Sequence, residues 1–248
     1  MQNIESDGLA EFVISPLILQ SIKSVIASHG FGGFWFQGIP NRAYQDYLLN
    51  SKKSILTRRM LYSSGGVFSS SHTAQKIQRH YIDQVAPRDI NFGLALKLEQ
   101  PYYYQLSERG QVNKANKLFS SYGIKTVLSY PVRHYASEAW CGRFTLLSKE
   151  RELNFDLVDL DTSLKQLQTV LFEHYHQELN PYRQVSLFNQ TAIKALKMVA
   201  KGLQNSEISE ELHITIRGVE YHLESMRNKL SASNRANLVH IAHQLEII

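Results

Sequence analysis

Ile216, Val219, Leu223, Met226 and Leu230 recur at intervals of three and four, which places them on one face of a helix. The opposite face carries Arg217, Glu220, Tyr221, Glu224 and Asn228. Side chains of these types donate and accept hydrogen bonds in defined directions, the chemistry needed to read base edges in a major groove about 12 Å wide. A glutamate there accepts from cytosine N4, so Glu220 and Glu224 either specify bases or, as a solvated pair four residues apart, only tune affinity. Arg217, Arg227, Lys229 and Arg235 are the candidate phosphate contacts, and Thr215, at the cap of the helix, completes the set expected at DNA. No comparable set exists for catalysis. The chain has no nucleophile elbow, P-loop, CxxC or HExxH, and the histidines of HYH (174–176) lack metal-ligand spacing. No enzyme activity, metal or cofactor is therefore expected.

A recognition helix works only when a scaffold lifts it clear of the protein surface. From Leu187 onward four short helical patterns supply one. Asn189 caps the first, which buries Ile193, Leu196, Ala200 and Leu203 and ends at Gly202. Asn205 or Ser206 caps the second, with Ile208 and Leu212 inward, and His213-Ile214 makes a tight turn. Thr215 caps the third, and Asn234 to Leu245 forms the fourth. Two short helices joined by a tight turn, the second longer and amphipathic, describe a helix-turn-helix. Net charge alone does not find this end. The chain carries +5 overall with a pI near 9.2, yet residues 187–248 hold seven basic against six acidic side chains.

The segment 205–242 resembles the LuxR-type helix-turn-helix signature. The matching positions are Gly202, Asn205, Glu207, Ile208, Leu212, Ile214, Val219, His222, Lys229, Leu230, Asn234 and Arg235. The resemblance implies a transcription regulator that binds double-stranded DNA.

The remaining 186 or so of the 248 residues precede this motif. Leu9 to His29 carries helical spacing, with Leu17, Ile18, Ile22, Val25 and Ile26, and Pro16 starts or breaks it. Residues 30–39 read as an aromatic strand, 55–62 as a further strand and 63–71 as a loop. Helices are expected over 74–84 and 113–122, and strands over 124–132 and 141–148, joined as an antiparallel hairpin. Leu157 to Leu179 reads as a long amphipathic helix exposing Asp159, Lys165, Gln168 and Glu173, with Leu157, Leu160, Leu164, Leu167, Val170, Leu171 and Tyr175 inward. Asn180-Pro181 ends it. The fold class is thus an α+β domain, an antiparallel sheet flanked by helices, followed by an all-α four-helix helix-turn-helix domain. The boundaries are 1–179, a linker over 180–186, and 187–248. There is no run of eighteen apolar residues, MQNIESDG lacks a basic stretch followed by an apolar one, and Cys141 is a single cysteine; the expectation is a cytoplasmic chain with no secretory signal and no membrane segment.

Three stretches of the first domain resemble the autoinducer-binding domain of quorum-sensing regulators. HYIDQVAPRDI (80–90) resembles its tyrosine-aspartate segment through Tyr81 and Asp89. EQPYYYQL (99–106) places Tyr104 at a tryptophan position, and 115–133 resembles the helix-glycine-strand unit through Ser129 and Pro131. The resemblance implies a small signal molecule held by Tyr81, Asp89, Tyr104 and Ser129, with Tyr62 and Trp35 on the pocket wall. The chain departs from that pattern at Ile77, Ile90 and Val127, where tryptophan, proline and glycine are expected. Isoleucine donates no hydrogen bond, so the expected ligand is not an ordinary acyl-homoserine lactone. A more aromatic small molecule is expected instead, given Phe34, Trp35, Phe36, Tyr62, Phe68 and Tyr102. In this family helices such as 157–179 contribute to homodimers. The expectation is a signal-gated regulator; the alternative is a ligand-independent regulator whose first domain is a dimerisation or protein-interaction scaffold.

Overall fold

A computed structural model describes residues 14–40, 67–97, 101–106, 113–132, 139–184 and 188–248. The expected strand over 55–62 and Tyr62 lie outside the described residues. The first helix, α1, runs Pro16–Ser28, with proline in its first turn, where no amide donor is needed. Strand β1 follows at Gly33–Pro40 and β2 at Val67–Ser69. Helix α2 spans His72–His80, capped by the Ser71 hydroxyl, and continues as a π-turn over Tyr81–Val85 and a 3-10 turn over Ala86–Arg88. Helix α3 (Ile90–Lys97), β3 (Tyr102–Gln105), α4 (Lys114–Ser121), β4 (Thr126–Val132) and β5 (Trp140–Ser148) follow. The long helix α5 occupies Leu157–Leu179, capped by Asp156.

The strands form one antiparallel sheet in the order β2-β1-β5-β4-β3. Val67–Ser69 pairs with β1, so part of the expected loop 63–71 is an edge strand. Three residues are too few for alternation to reveal, and the pairing comes from β1, more than thirty positions earlier.

Successive strand residues point to opposite faces. One face presents Phe34, Phe36, Leu128, Tyr130, Phe144 and Leu146, packed with Ile22 and Ile26 of α1 and with Leu160, Leu164, Leu171 and Phe172 of α5. Two glycines on this face, Gly38 and Gly142, permit the close approach. A Cβ on Gly38 would sit 1.9 Å from the Leu179 carbonyl oxygen, and one on Gly142 would sit 2.2 Å from Gln168 Oε1. Gln168 is consequently buried, accepting from the Gly142 amide at 3.0 Å, whereas its helical spacing predicts exposure. Leu157 and Val170, expected inward, are exposed. The second face carries Trp35, Val127 and Leu147 against Ile77, Tyr81, Ile82 and Phe92, and against Leu118 and Phe119 of α4.

Residues 181–184, within the expected linker, form a short helix, α6 (Pro181–Gln184). Tyr182 is buried there, and Asn180 donates to the carbonyl oxygens of Leu245 (3.0 Å) and Glu246 (3.1 Å). Trp140 Nε1 donates to Glu246 at 2.6 Å, and His176 lies 3.0 Å from the same carboxylate. The apolar cluster of the first sheet face is thereby continuous with the core of four C-terminal helices: α7 (Gln190–Ala200), α8 (Asn205–Glu211), α9 (Ile216–Lys229) and α10 (Arg235–Gln244). Among the described residues no helix is long and apolar enough to cross a membrane.

Candidate functional site

The C-terminal helices are set by their caps. Asn189, Thr215 and Asn234 each accept a backbone amide of the following turn, at 2.7, 3.0 and 2.8 Å. The second helix is capped one position earlier than expected: Gln204 occupies the cap, and its amide donates to Glu207 at 2.6 Å. The turn between α8 and α9 passes through His213 at φ 52°, a left-handed conformation that reverses the chain in few residues. Helix α9 then buries Val219, Leu223 and Met226.

The outer row of α9 is open. Arg217, Glu220, Tyr221, Glu224 and Asn228 line one concave surface together with Arg227, Lys229, Arg235 and Asn205. Tyr221 is 71% exposed. The cations differ in their freedom. Arg227 forms a two-pronged contact with Glu224, at 2.8 and 2.6 Å, and its hydrogen bonds hold the Glu224 carboxyl below its ordinary range. Arg235 donates to Asn205 Oδ1 at 2.9 Å and to the Leu203 carbonyl at 2.8 Å, tying α10 to the start of α8. Lys229 sits 5.4 Å from the Phe188 ring centroid. Thr215 spends its hydroxyl on the cap. Arg217, Glu220 and Tyr221 therefore project most freely from this surface.

A second site lies on the far face of the sheet. A cavity of about 30 Å³ is lined by Trp35, Gln37, Tyr81, Ser129, Arg143 and Thr145, with Phe92, Ala95 and Phe119 across from the strands. Of the residues expected at a ligand, Trp35, Tyr81 and Ser129 are on this wall. Asp89 is behind it. Tyr81 donates its hydroxyl to Asp89 Oδ2 at 2.7 Å, and the Asn91 amide donates to Oδ1 at 3.0 Å. Tyr104 stands on β3 opposite Val127. Tyr102 donates to Asn91 at 2.7 Å, and burial followed by the Asp89 charge raises its pKa. Phe34, Phe36 and Phe68, expected near a ligand, belong to the other face.

Sequence reasoning missed Gln37, Arg143 and Thr145. The available signal was Arg143 inside CGRFTLLS, a cation at the centre of a strand that is buried along its whole length.

Residues 190–242 match the family described as bacterial regulatory proteins, luxR family, so the C-terminal domain is a LuxR-family helix-turn-helix. The chain is 34% identical over 85 residues to the transcriptional regulatory protein YdfI of Bacillus subtilis (strain 168), a match covering 34% of this chain and 38% of that protein. The matched part thus spans well under half of the relative's length. A crystal structure of Escherichia coli SdiA aligns with a TM-score of 0.49 at 11% identity, covering 96% of this chain and 93% of the other. SdiA in complex with octanoyl-rac-glycerol aligns with a TM-score of 0.42 at 12% identity, covering 94% and 89%.

Proposed function

We propose that this chain is a cytoplasmic transcription regulator that binds double-stranded DNA as a homodimer and is gated by a small signal molecule other than an ordinary acyl-homoserine lactone. The observation that carries the DNA-binding part is the open row Arg217, Glu220, Tyr221, Glu224 and Asn228 on a helix whose other face is buried, within a domain that matches the luxR family. Arg217 and Lys229 supply phosphate attraction, with Arg227 and Arg235 at the rim, and Glu220 with Tyr221 faces the bases. The division is a sensor over 1–179, a joint over 180–186 and a DNA-binding domain over 187–248. The exposed apolar residues Leu157, Val158 and Val170 of α5 support a role for that helix in dimerisation.

The cavity bounded by Trp35, Tyr81 and Ser129 supports signal binding, with Asp89 orienting Tyr81 and with Tyr104 and Tyr62 assigned to the same pocket from the sequence. A second reading has its own support. The cavity is small and Asp89 already holds two internal hydrogen bonds, as in a sensor that folds unliganded and serves as a scaffold.

Selection of DNA from a random duplex library by the purified chain tests the first part. The expected result is a two-fold symmetric site with half-sites about one helical turn, or a multiple of it, apart; recovery of no enriched sequence overturns it. Native mass spectrometry before and after denaturing extraction separates the two readings of the sensor. A co-purifying molecule at one per chain supports gating, and a ligand-free dimer that binds the selected site supports the scaffold.

A further inference from the structure

On the cavity wall stands a cation that no carboxylate of the described residues faces. Arg143 is 5% exposed, and its Nε has no hydrogen-bond partner. Gln37, its register partner on the adjacent strand, has an unpartnered buried Oε1. Among the described residues, the titratable groups acting on Arg143 are the Cys141 thiol and the Tyr81 phenol, and no carboxylate is among them. Asp89, hydrogen-bonded to Tyr81 of the cavity wall, has its oxygens turned to Tyr81 and Asn91. Burial lowers the Arg143 pKa to about 10, so the guanidinium is charged at neutral pH. A buried ion without a partner is among the most expensive features a fold can keep, and buried polar atoms in folded proteins are nearly always paired. Here two buried atoms without a partner among the described residues, Arg143 Nε and Gln37 Oε1, belong to register neighbours at a cavity, one offering N–H and the other an oxygen. Ser129 and Thr145 place hydroxyls beside them, and Trp35, Tyr81, Phe92 and Phe119 supply aromatic walls.

The geometry points to a small organic carboxylate as the occupant, its carboxylate taken by Arg143 and an adjacent hydroxyl or N–H accepted by Gln37. This rests on the signal-binding reading above and names the ligand class. A guanidinium and a carboxylate match in charge and in their paired donor and acceptor geometry, whereas a neutral ester or lactone carbonyl leaves the charge uncompensated. The volume of about 30 Å³ suits a head group, and Phe92 and Ala95 of α3 form the wall that a larger apolar body displaces.

The test uses the full chain and three acids, 4-hydroxyphenylacetate, indole-3-acetate and 3-hydroxyoctanoate, each against its methyl ester, by titration calorimetry at pH 7. At least one acid is expected to bind about tenfold or more tightly than its ester, the ratio that a hydrogen bond to a charged group supports. Arg143→Met abolishes that ratio and Arg143→Lys retains part of it. Esters that bind as tightly as acids overturn the charge inference and leave the small-molecule reading standing. Binding of neither series counts against both. If Arg143→Met fails to fold, the wild-type ratio and Gln37→Leu, expected to remove the advantage of the hydroxylated acids, decide the matter.

Discussion

The two faces of the sheet are both buried, yet they are built on different principles. On the α1/α5 face, Phe34, Phe36 and Phe144 interlock, with Phe36 and Phe144 centroids 4.6 Å apart, and Gln168, the polar side chain that reaches in from α5, accepts a hydrogen bond. On the α2/α4 face, Trp35 and Tyr81 share a cavity wall with Gln37 and Arg143, whose Oε1 and Nε atoms have no partner among the described residues. The first face is complete in itself. The second leaves atoms that an added group would satisfy. Burial therefore does not distinguish core from site in this sheet; satisfaction of the polar atoms does.

The largest break in this contrast comes from the closed face. Gly142→Val forces a Cβ to within 2.2 Å of Gln168 Oε1 and 2.3 Å of the Phe36 ring. It should destabilise the fold by about 3 kcal/mol or more, through overpacking and loss of the Gln168 bond. A urea melt with an unshifted midpoint would show that α5 does not press on β5. The open face should respond with the opposite sign. Arg143→Met removes a buried charge whose Nε has no partner among the described residues while roughly keeping the volume, and should stabilise the ligand-free chain by about 1–3 kcal/mol. A lower melting temperature would mean that Arg143 serves the fold rather than the cavity.

What could be read from sequence follows the same line. Leu157–Leu179 and the four C-terminal helices were legible because their spacing, caps and stop signals are local. Strands β4 and β5 were legible as apolar runs, and their antiparallel pairing agrees with the expected hairpin. Gln168 was misread because its burial depends on the missing side chain of Gly142, 26 positions earlier. Edge strand β2 depends on β1 in the same way. Arg143 stayed hidden because alternation on a strand of a two-sided core places a residue on a face without saying what that face lacks. At the helix-turn-helix the outer row was visible in full, but the pairing of Glu224 with Arg227 was not separable from solvated charge.

Helix α9 repeats the contrast between a closed and an open side, on a smaller scale. Glu220 is exposed, while Glu224 is held by Arg227. Glu220→Ala should shift preference at one base pair by about tenfold while changing overall affinity less. Equal loss on every sequence would remove direct readout by Glu220. Glu224→Gln should loosen Arg227 for phosphate. Low-salt binding to random duplex should rise about two- to fivefold, and the slope of log K against log salt should steepen by at most about one. An unchanged slope would assign Arg227 a structural role through the Ser233 carbonyl, its other acceptor at 3.3 Å.

The smallest effect belongs to the rim of the closed face, where Tyr130 donates its hydroxyl to Asp161 and Lys165 pairs with the same carboxylate at 2.6 Å. Burial alone pushes the Asp161 pKa up, but the hydrogen bonds from Lys165 and Tyr130, with the Lys165 charge, outweigh it and leave the pKa below the ordinary aspartate value. Asp161 therefore binds its proton less readily folded than unfolded. Its contribution is present above the unfolded value and fades as pH falls through the folded one. Because the pair is partly solvated, Asp161→Asn should destabilise by less than about 1 kcal/mol at pH 7. Melting curves of the two proteins should converge as the pH falls through the lowered folded-state value of Asp161. A gap that persists in acid would locate the effect in the geometry of the Tyr130 hydroxyl and not in the charge. The closed face would then be sealed at its rim, as at its centre, by fit alone.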